Sequence, residues 1–113
     1  MATYFGFAIA DSMIPYGNIT KSALSAEDAK EIVERQEIIP CLNPSHIATI
    51  EAMRERFDIQ VEIPEKPPQV FLEKGDRLIV MSVRGLPRLT DRSQYTVEEI
   101  QGASFQFSLY VIS

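Results

Sequence analysis

Two stretches of this chain, residues 3–10 and 78–81, are apolar at almost every successive position, and they constrain the fold more than any other feature. A strand that carries apolar side chains on both of its faces must be covered on both sides. Each stretch therefore predicts a central strand of a sheet. The chain has 113 residues, the length of one domain, and we expect that domain to span residues 1–113.

Two helices are predicted between these strands. Residues 26–36 follow Ser25, which forms a capping-box-like pair with Asp28, and the apolar positions after it recur at helical spacing. Residues 44–57 follow Asn43, a good N-cap, and begin with a proline, which suits the first helical position. Both segments should therefore be amphipathic helices that pack one face on the sheet.

Further strands are predicted where apolar and polar residues alternate or where turn residues separate two apolar runs. These are residues 59–63, a hairpin of 70–73 with 77–84, and residues 104–112. Residues 38–42 are expected to be an extended link, and residues 96–100 either a helical turn capped by Thr96 or a continuation of the preceding loop. The order of elements predicts an α/β (α+β) fold, a mixed β-sheet of about five strands with two main helices packed on one face.

Composition limits the class of protein. A chain that is 45% hydrophobic and 24% charged is typical of a soluble globular protein. A net charge of −5 disfavours broad binding to duplex DNA. No apolar run reaches the ~20 residues of a membrane span, and the first residues lack the features of a secretion signal. We therefore expect a cytoplasmic protein that does not bind membranes, or one in the host cytoplasm if it is viral.

The chain contains one cysteine and one histidine, Cys41 and His46. One cysteine excludes an internal disulfide, and so small a set of soft ligands disfavours a metal centre, so no metal site and no cofactor is expected. Cys41 and His46 are close enough in sequence to form a reactive pair, but a buried structural thiol is the favoured interpretation of Cys41.

His46 is predicted in the first turn of the second helix. Backbone N–H groups there have no partner within the helix, and the helix dipole adds partial positive charge, so such a turn attracts anions. An imidazole at this place could transfer a proton in a phosphate reaction. The alternative is a surface or structural histidine without a chemical role.

Positive charge is concentrated in one part of the chain, where four arginines fall within sixteen residues: Arg77, Arg84, Arg88 and Arg92. These side chains, together with Lys21 and the helix ends, are the groups able to attract a small anionic ligand to a protein of negative net charge. The alternative is that they are solvated strand and loop charges.

Three segments taken together resemble a small domain family first described from archaeal viruses, the viral and bacterial ring nucleases. They are residues 11–17 after the first strand, residues 45–49, and residues 75–81 followed by 84–91. The family's Gly-His-x-x-Thr segment opens a helix and supplies a catalytic histidine, and residues 45–49 match it with Ser45 in place of glycine. The family's Gly-Asp and apolar strand are matched by residues 75–81.

The resemblance implies roles for particular residues. His46 is the catalytic acid, Arg88 the arginine of the family's Arg-Leu pair, and Asp91 the acidic residue that follows. Arg84 competes with Arg88 for the arginine position, and the family's Pro-Glu-Gly continuation is absent here. The residues implied in ligand binding are Ser12, Met13, Ile14, Ser45, Thr49 and Arg84.

The resemblance also implies an activity, the metal-independent cleavage of cyclic tetra-adenylate, the second messenger of type III CRISPR defence. Viral members of that family act as anti-CRISPR proteins. The expected partners are a cyclic oligoadenylate and a second copy of the chain, since a two-fold homodimer matches a ring of identical nucleotides. The alternative is a non-catalytic module of the same fold that binds a cyclic nucleotide or a nucleic acid.

Overall fold

The computed structural model describes residues 2–66, 68–90, 92 and 94–113. Five strands form one mixed sheet: β1 (Thr3–Gly6), β2 (Ile19–Leu24), β3 (Ile38–Pro40), β4 (Arg77–Arg84) and β5 (Ser104–Ile112). Their order across the sheet is β2-β5-β4-β1-β3. β1 runs parallel to β3 and β4, whereas β5 runs antiparallel to β4 and β2. The predicted mixed sheet of about five strands is confirmed.

Three helices follow capping signals in the sequence: α1 (Ala26–Arg35), α2 (Ile47–Phe57) and α3 (Val97–Gly102). The Ser25 hydroxyl accepts a hydrogen bond from the Asp28 amide at the start of α1. Thr96 and Glu99 form a reciprocal capping box on α3, so the segment predicted as either helix or loop is helical. Two short 3₁₀ turns, Asp11–Met13 and Pro44–His46, complete the set.

The sheet is covered differently on its two faces. Ala29 of α1 and Met53 of α2 pack against Phe5, Ile79 and other sheet residues in the larger core cluster. This confirms that the main helices cover one face. The opposite face carries a second cluster, in which Leu78 and Val80 of β4 pack against Val70 and Leu72 from the segment before the turn. β4 is therefore buried on both faces, as its unbroken apolar run predicts.

The central strand β1 is shorter than the predicted segment 3–10. Its pairing with β3 ends at Phe5 opposite Pro40, and its pairing with β4 ends at Gly6 opposite Val80. Pro40 lies on the edge strand β3, where a missing N–H removes no bond to β1, and the last bond of this ladder runs from the Cys41 amide to the Phe5 carbonyl at 2.9 Å. The chain beyond Gly6 leaves the sheet, and this departure opens a gap beside the last residues of β4.

Two predicted strands are wrong. Ile59 and Val61 are buried, but residues 59–63 pair with no described strand. The alternating pattern indicates that one side of the segment is buried, and it does not show that a neighbouring strand is present. Residues 70–73 do not form a hairpin with β4. Instead, Val70 and Leu72 lie across the face opposite the helices, and the Leu72 amide donates to the Met13 carbonyl at 2.8 Å.

Two strands were not predicted as such. β2 is an edge strand whose residues are mostly exposed, and its apolar residues do not alternate with polar ones as in a half-buried strand. The expected link 38–42 supplies β3, the opposite edge strand, over its first three residues. Within the described residues, no helix is long and apolar enough to span a membrane.

The turn before β4 explains the Gly-Asp pair. Gly75 has a φ of 92°, a conformation that glycine adopts without steric cost. The buried Asp76 carboxylate accepts hydrogen bonds from the Ala2 and Glu73 amides, both at 2.8 Å. This pair of residues therefore joins the start of β1 to the turn, a structural role far from the cleft described next.

Candidate functional site

Three loops that carry residues implied in function follow the carboxyl ends of parallel strands. The first loop follows β1, the segment that contains His46 follows β3, and the arginine-rich loop follows β4. Because β1, β3 and β4 are parallel, their carboxyl ends lie at the same edge of the sheet. This is the edge at which open α/β sheets bind ligands.

The backbone around His46 is fixed by local hydrogen bonds. The Asn43 side chain accepts from the Ser45 amide at 2.9 Å, and the Asn43 carbonyl accepts from the His46 amide at 3.0 Å. These bonds form the 3₁₀ turn that ends at His46, which is the N-cap of α2. The predicted cap at Asn43 is confirmed, although the first turn is 3₁₀ and the α-helix begins one residue after His46.

This turn changes the expected anion site. The Ser45 and His46 amides, which were expected to face a phosphate, are already hydrogen-bonded to Asn43. An amide that is satisfied by a cap is a weaker donor to a ligand than an unpartnered one. An anion at this place would therefore depend less on the Ser45 and His46 amides and more on the side chains around it.

The segment leading to His46 is tied to β1 through Cys41. The Cys41 amide and thiol both donate to the Phe5 carbonyl, at 2.9 Å and 3.0 Å. Burial raises the pKa of the Cys41 thiol to about 11. Cys41 is therefore a protonated structural thiol, and the reactive Cys–His pair is not favoured by this arrangement.

The imidazole of His46 is exposed and lies against one aromatic side chain. Its ring meets that of Phe7 edge to face, with a centroid distance of 5.5 Å and an interplanar angle of 78°. Phe7 is the first residue after β1. Both rings line a cavity of about 310 Å³ with Thr49 and residues 81–83 of β4, beside the part of β4 that β1 leaves unpaired.

His46 and Arg88 line the same cleft. Its volume is about 550 Å³, and its walls are formed by the start of α2 and by the loop after β4. Ser45 and Thr49 line it on the helix side. The loop side contributes Leu86, Pro87, Arg88, Leu89, Arg92 and Tyr95. The arrangement places an imidazole and a guanidinium around one space.

A second arm of the cleft extends from His46 toward the first loop. This cavity of about 350 Å³ includes Ser12 and Met13 among its lining residues, together with Phe7 and Asn43. Ile14, the third residue expected there, does not line this cavity or the other two that His46 borders. His46 therefore lies between a loop-lined neutral arm and an arm that carries the arginines.

Arg84 and Lys21 lie outside the cleft. Arg84 is the exposed last residue of β4, pairs with Ser104 of β5, and lines none of the three cavities around His46. Lys21 lies on β2, which β5 and β4 separate from β1, and its ammonium stacks over Tyr110. Asp91, the expected acidic residue, lies outside the described residues.

Arg92 lines the cleft but is bound to a carboxylate. Its guanidinium donates to Glu99, which also accepts from the Thr96 amide at 2.9 Å as part of the cap of α3. The bond from Arg92, and then the one from Thr96, lower the pKa of Glu99 to about 2. Arg88, by contrast, forms no ion pair with a carboxylate of the described residues.

Several residues that line the cavities around His46 belong to no motif of the sequence that indicates a functional site. Phe7 sits inside the predicted strand 3–10, and Ser82 and Tyr95 belong to no motif. Glu99 had a usable signal, since Thr96-x-x-Glu99 is a capping box. Within the described ranges, no group of three histidine, cysteine, aspartate or glutamate side chains is arranged to hold a metal ion.

The fold and cleft define a small α+β domain whose site lies at the carboxyl edge of the sheet. The chain belongs to the STIV B116-like family, whose sequence model matches residues 6–107. The predicted resemblance to a small domain family of archaeal viruses is confirmed at this level.

Two viral proteins illustrate the relationship. The chain is 32% identical over 90 residues to "Uncharacterized protein 26" of Sulfolobus islandicus filamentous virus (isolate Iceland/Hveragerdi), a match covering 79% of this chain and 71% of that protein. The structure of the present chain is similar to that of B116 of Sulfolobus turreted icosahedral virus, with a TM-score of 0.71 and 18% sequence identity. The match covers 98% of this chain and 99% of B116. At 18% identity, the similarity to B116 establishes the fold alone.

Proposed function

We propose that this protein is a ring nuclease that cleaves cyclic tetra-adenylate without a metal ion. The proposal rests on one observation, the cleft that His46 and Arg88 line together with Ser45 and Thr49. The sequence resemblance assigns these same positions to catalysis and ligand binding. A viral protein with this activity would act in the host cytoplasm as an anti-CRISPR protein.

The proposed reaction uses the ribose as its own nucleophile. The 2′-oxygen attacks the adjacent phosphorus, the new P–O2′ bond forms, and the P–O5′ bond breaks. The 2′-hydroxyl proton passes to solvent, and a ring nitrogen of His46 protonates the leaving 5′-oxygen. The products are a 2′,3′-cyclic phosphate and a 5′-hydroxyl. General acid catalysis of this kind contributes about 10²–10⁴-fold to the rate.

Arg88 is assigned the stabilisation of the phosphorane. A guanidinium donates a fork of hydrogen bonds that matches phosphate oxygens, and it acts more strongly where the cleft walls exclude water. The protein carries a net charge of −5 and the ligand four phosphates, so local positive charge must offset the overall repulsion. Thr49 and Ser45 supply neutral donors on the opposite wall.

The proposed active form is a two-fold homodimer. A ring of four identical nucleotides has equivalent halves, and two copies of the cleft related by a two-fold axis would contact them equally. The second messenger would then bridge both protomers. Size-exclusion chromatography with light scattering, with and without the ring, measures this directly.

The second candidate function is binding without cleavage. None of the described residues that line the cleft with His46 and Arg88 is an aspartate or glutamate, and the Pro-Glu-Gly element is absent from the sequence. The missing Pro-Glu-Gly element favours a module that sequesters the cyclic nucleotide. Affinity measured together with turnover separates the two functions.

The decisive experiment incubates labelled cyclic tetra-adenylate with the wild type and with His46→Ala, each with and without chelator. We expect cleavage by the wild type to be unchanged by chelator and to fall about 10²–10⁴-fold in His46→Ala, with binding retained. His46→Gln, which keeps the size and polarity of the side chain, should be equally inactive. Tight binding without cleavage by the wild type supports the binding module, and equal rates in wild type and His46→Ala contradict the mechanism.

A further inference from the structure

We propose that Phe7 is a positioning residue that holds the imidazole of His46 in the orientation needed for proton transfer. The inference rests on the proposed function and concerns how the same site is held. Its structural basis is the edge-to-face contact of the two rings, with a centroid distance of 5.5 Å and an interplanar angle of 78°.

Phe7 has the rigidity that such a role requires. It follows directly on the central strand β1, and its partly buried side chain packs against the larger core cluster beneath the helices. The position of the ring is therefore fixed by its packing against the core, one residue beyond the end of β1. A side chain held in this way provides a stable surface for a neighbouring ring.

His46, by contrast, has its backbone fixed and its side chain exposed. Asn43 holds the turn through the Ser45 and His46 amides, but these bonds do not restrict rotation of the imidazole. Proton donation needs a ring nitrogen within hydrogen-bond reach of the leaving oxygen, and a free rotor meets this condition only part of the time. The Phe7 contact restricts the ring to the space where both cleft arms meet.

The kinetic test compares Phe7→Leu and Phe7→Tyr with Phe105→Leu as the matched control. Phe105 makes a similar edge-to-face contact, with Phe57 at 5.3 Å, on the same face of the sheet but outside the three cavities around His46. We expect Phe7→Leu to lower kcat about three- to ten-fold with KM within about two-fold, because the imidazole loses the aromatic ring that restricts its rotation. Phe7→Tyr, which keeps the ring, should retain the wild-type kcat.

A second measurement does not depend on activity. His46 is the only histidine, so its ring protons form one set of signals in a proton–carbon NMR spectrum. We expect a cross-relaxation peak between the His46 and Phe7 rings. We also expect a larger change in the His46 shifts in Phe7→Leu than in Phe105→Leu.

Two outcomes overturn the inference. One is the absence of a ring-to-ring peak in the wild type. The other is a Phe7→Leu kcat equal to that of the wild type or of Phe105→Leu. Should Phe7→Leu fail to fold, the peak and the Phe7→Tyr kcat decide. A wild type that shows the peak but cleaves no cyclic tetra-adenylate contradicts the proposed function and leaves Phe7 as a structural support of the His46 ring.

Discussion

The thiol of Cys41 occupies the space that a side chain on Gly6 would need: a Cβ atom at residue 6 would approach the Cys41 sulfur to 2.9 Å. Real Cβ atoms do not come this close, so the glycine permits β3 to run into the His46 segment directly beside the end of β1. The sulfur is held in place by its hydrogen bond to the Phe5 carbonyl.

The first prediction concerns this close approach. Gly6→Ala should lower the free energy of unfolding by about 1–3 kcal/mol, because the sulfur must move within a packed interior. Gly102→Ala is the matched control: its Cβ would meet nothing within 4 Å at the end of α3. It should be neutral or up to about 1 kcal/mol stabilising. Urea unfolding measures both, and equal stability of the two variants contradicts the prediction.

The second prediction distinguishes the two candidate arginines. Arg88→Ala should weaken binding of cyclic tetra-adenylate and slow its turnover, since Arg88 lines the cleft with His46. Arg84→Ala removes the same charge from outside the cavities and should leave both within about two-fold, apart from weak long-range attraction. Affinity and single-turnover rates measured at one ionic strength provide the comparison, and the reverse order of effects would assign the role to Arg84.

The third prediction concerns Glu99 at low pH. Its pKa is lowered from 4.5 to about 2 by the bonds from Arg92 and Thr96, so the folded state holds the carboxylate ionised where the unfolded chain would protonate it. The contribution to stability is therefore present above pH 4.5 and is lost as the pH falls toward 2.

Glu99→Gln keeps an oxygen for the Thr96 amide but removes the charge that binds Arg92. Its stability should accordingly fall less steeply than that of the wild type between pH 4.5 and 2. Glu98→Gln, on the same turn of α3, serves as the control. Chemical unfolding at several pH values measures the slopes, and parallel curves for wild type and Glu99→Gln would argue against the ion pair in solution.

The fourth prediction concerns the reactivity of Cys41. Burial raises the pKa of its thiol from 9.0 to about 11, so the native protein should react with iodoacetamide at pH 8 far more slowly than the urea-unfolded chain. The same shift implies that stability declines as the pH rises from 9 through 11. Cys41→Ser, which keeps a donor for the Phe5 carbonyl, should remove that alkaline decline. Mass spectrometry of the alkylated protein measures the first effect, and rapid native labelling would exclude a buried thiol.

The fifth prediction assigns the Gly-Asp pair to folding rather than chemistry. Asp76→Asn places an amide N–H₂ opposite one of two backbone donors and should cost about 1–3 kcal/mol. At a temperature where the variant is fully folded, its turnover should match that of the wild type. A loss of turnover in the folded variant would show that the turn affects the cleft.

The sequence predicted the elements whose signals are local. β4 and the core of β1 were visible as unbroken apolar runs, and the caps Ser25 and Asn43 marked the helices. β2 was not visible, because an exposed edge strand such as Ile19–Leu24 needs little apolar surface. The alternation at residues 59–63 correctly indicates buried side chains, but the strand predicted from it does not form. Strand formation also requires a partner strand, which lies elsewhere in the chain.

The candidate site was predictable only in part for the same reason. Residues 45–49 and Arg88 were singled out by motif, but nothing local indicates that two segments so distant in sequence share a cleft. That proximity follows from the parallel pairing of β1 with β3 and β4. The amides at the start of the second helix were expected to be free to bind an anion. The Ser45 and His46 amides instead donate to Asn43, the residue that caps this turn.

The gap where β1 leaves the sheet beside β4 has a consequence for the history of such proteins. It is produced by the course of the backbone, since strand pairing ends at Gly6 and Val80 whatever side chains surround the opening. Proteins that share this topology also share the gap beside β4. Substitution of a few residues that line the gap can change its chemical properties without changing the fold. The fold shared with B116 therefore predicts the same opening in related proteins, while the residues that line it must be determined separately for each one.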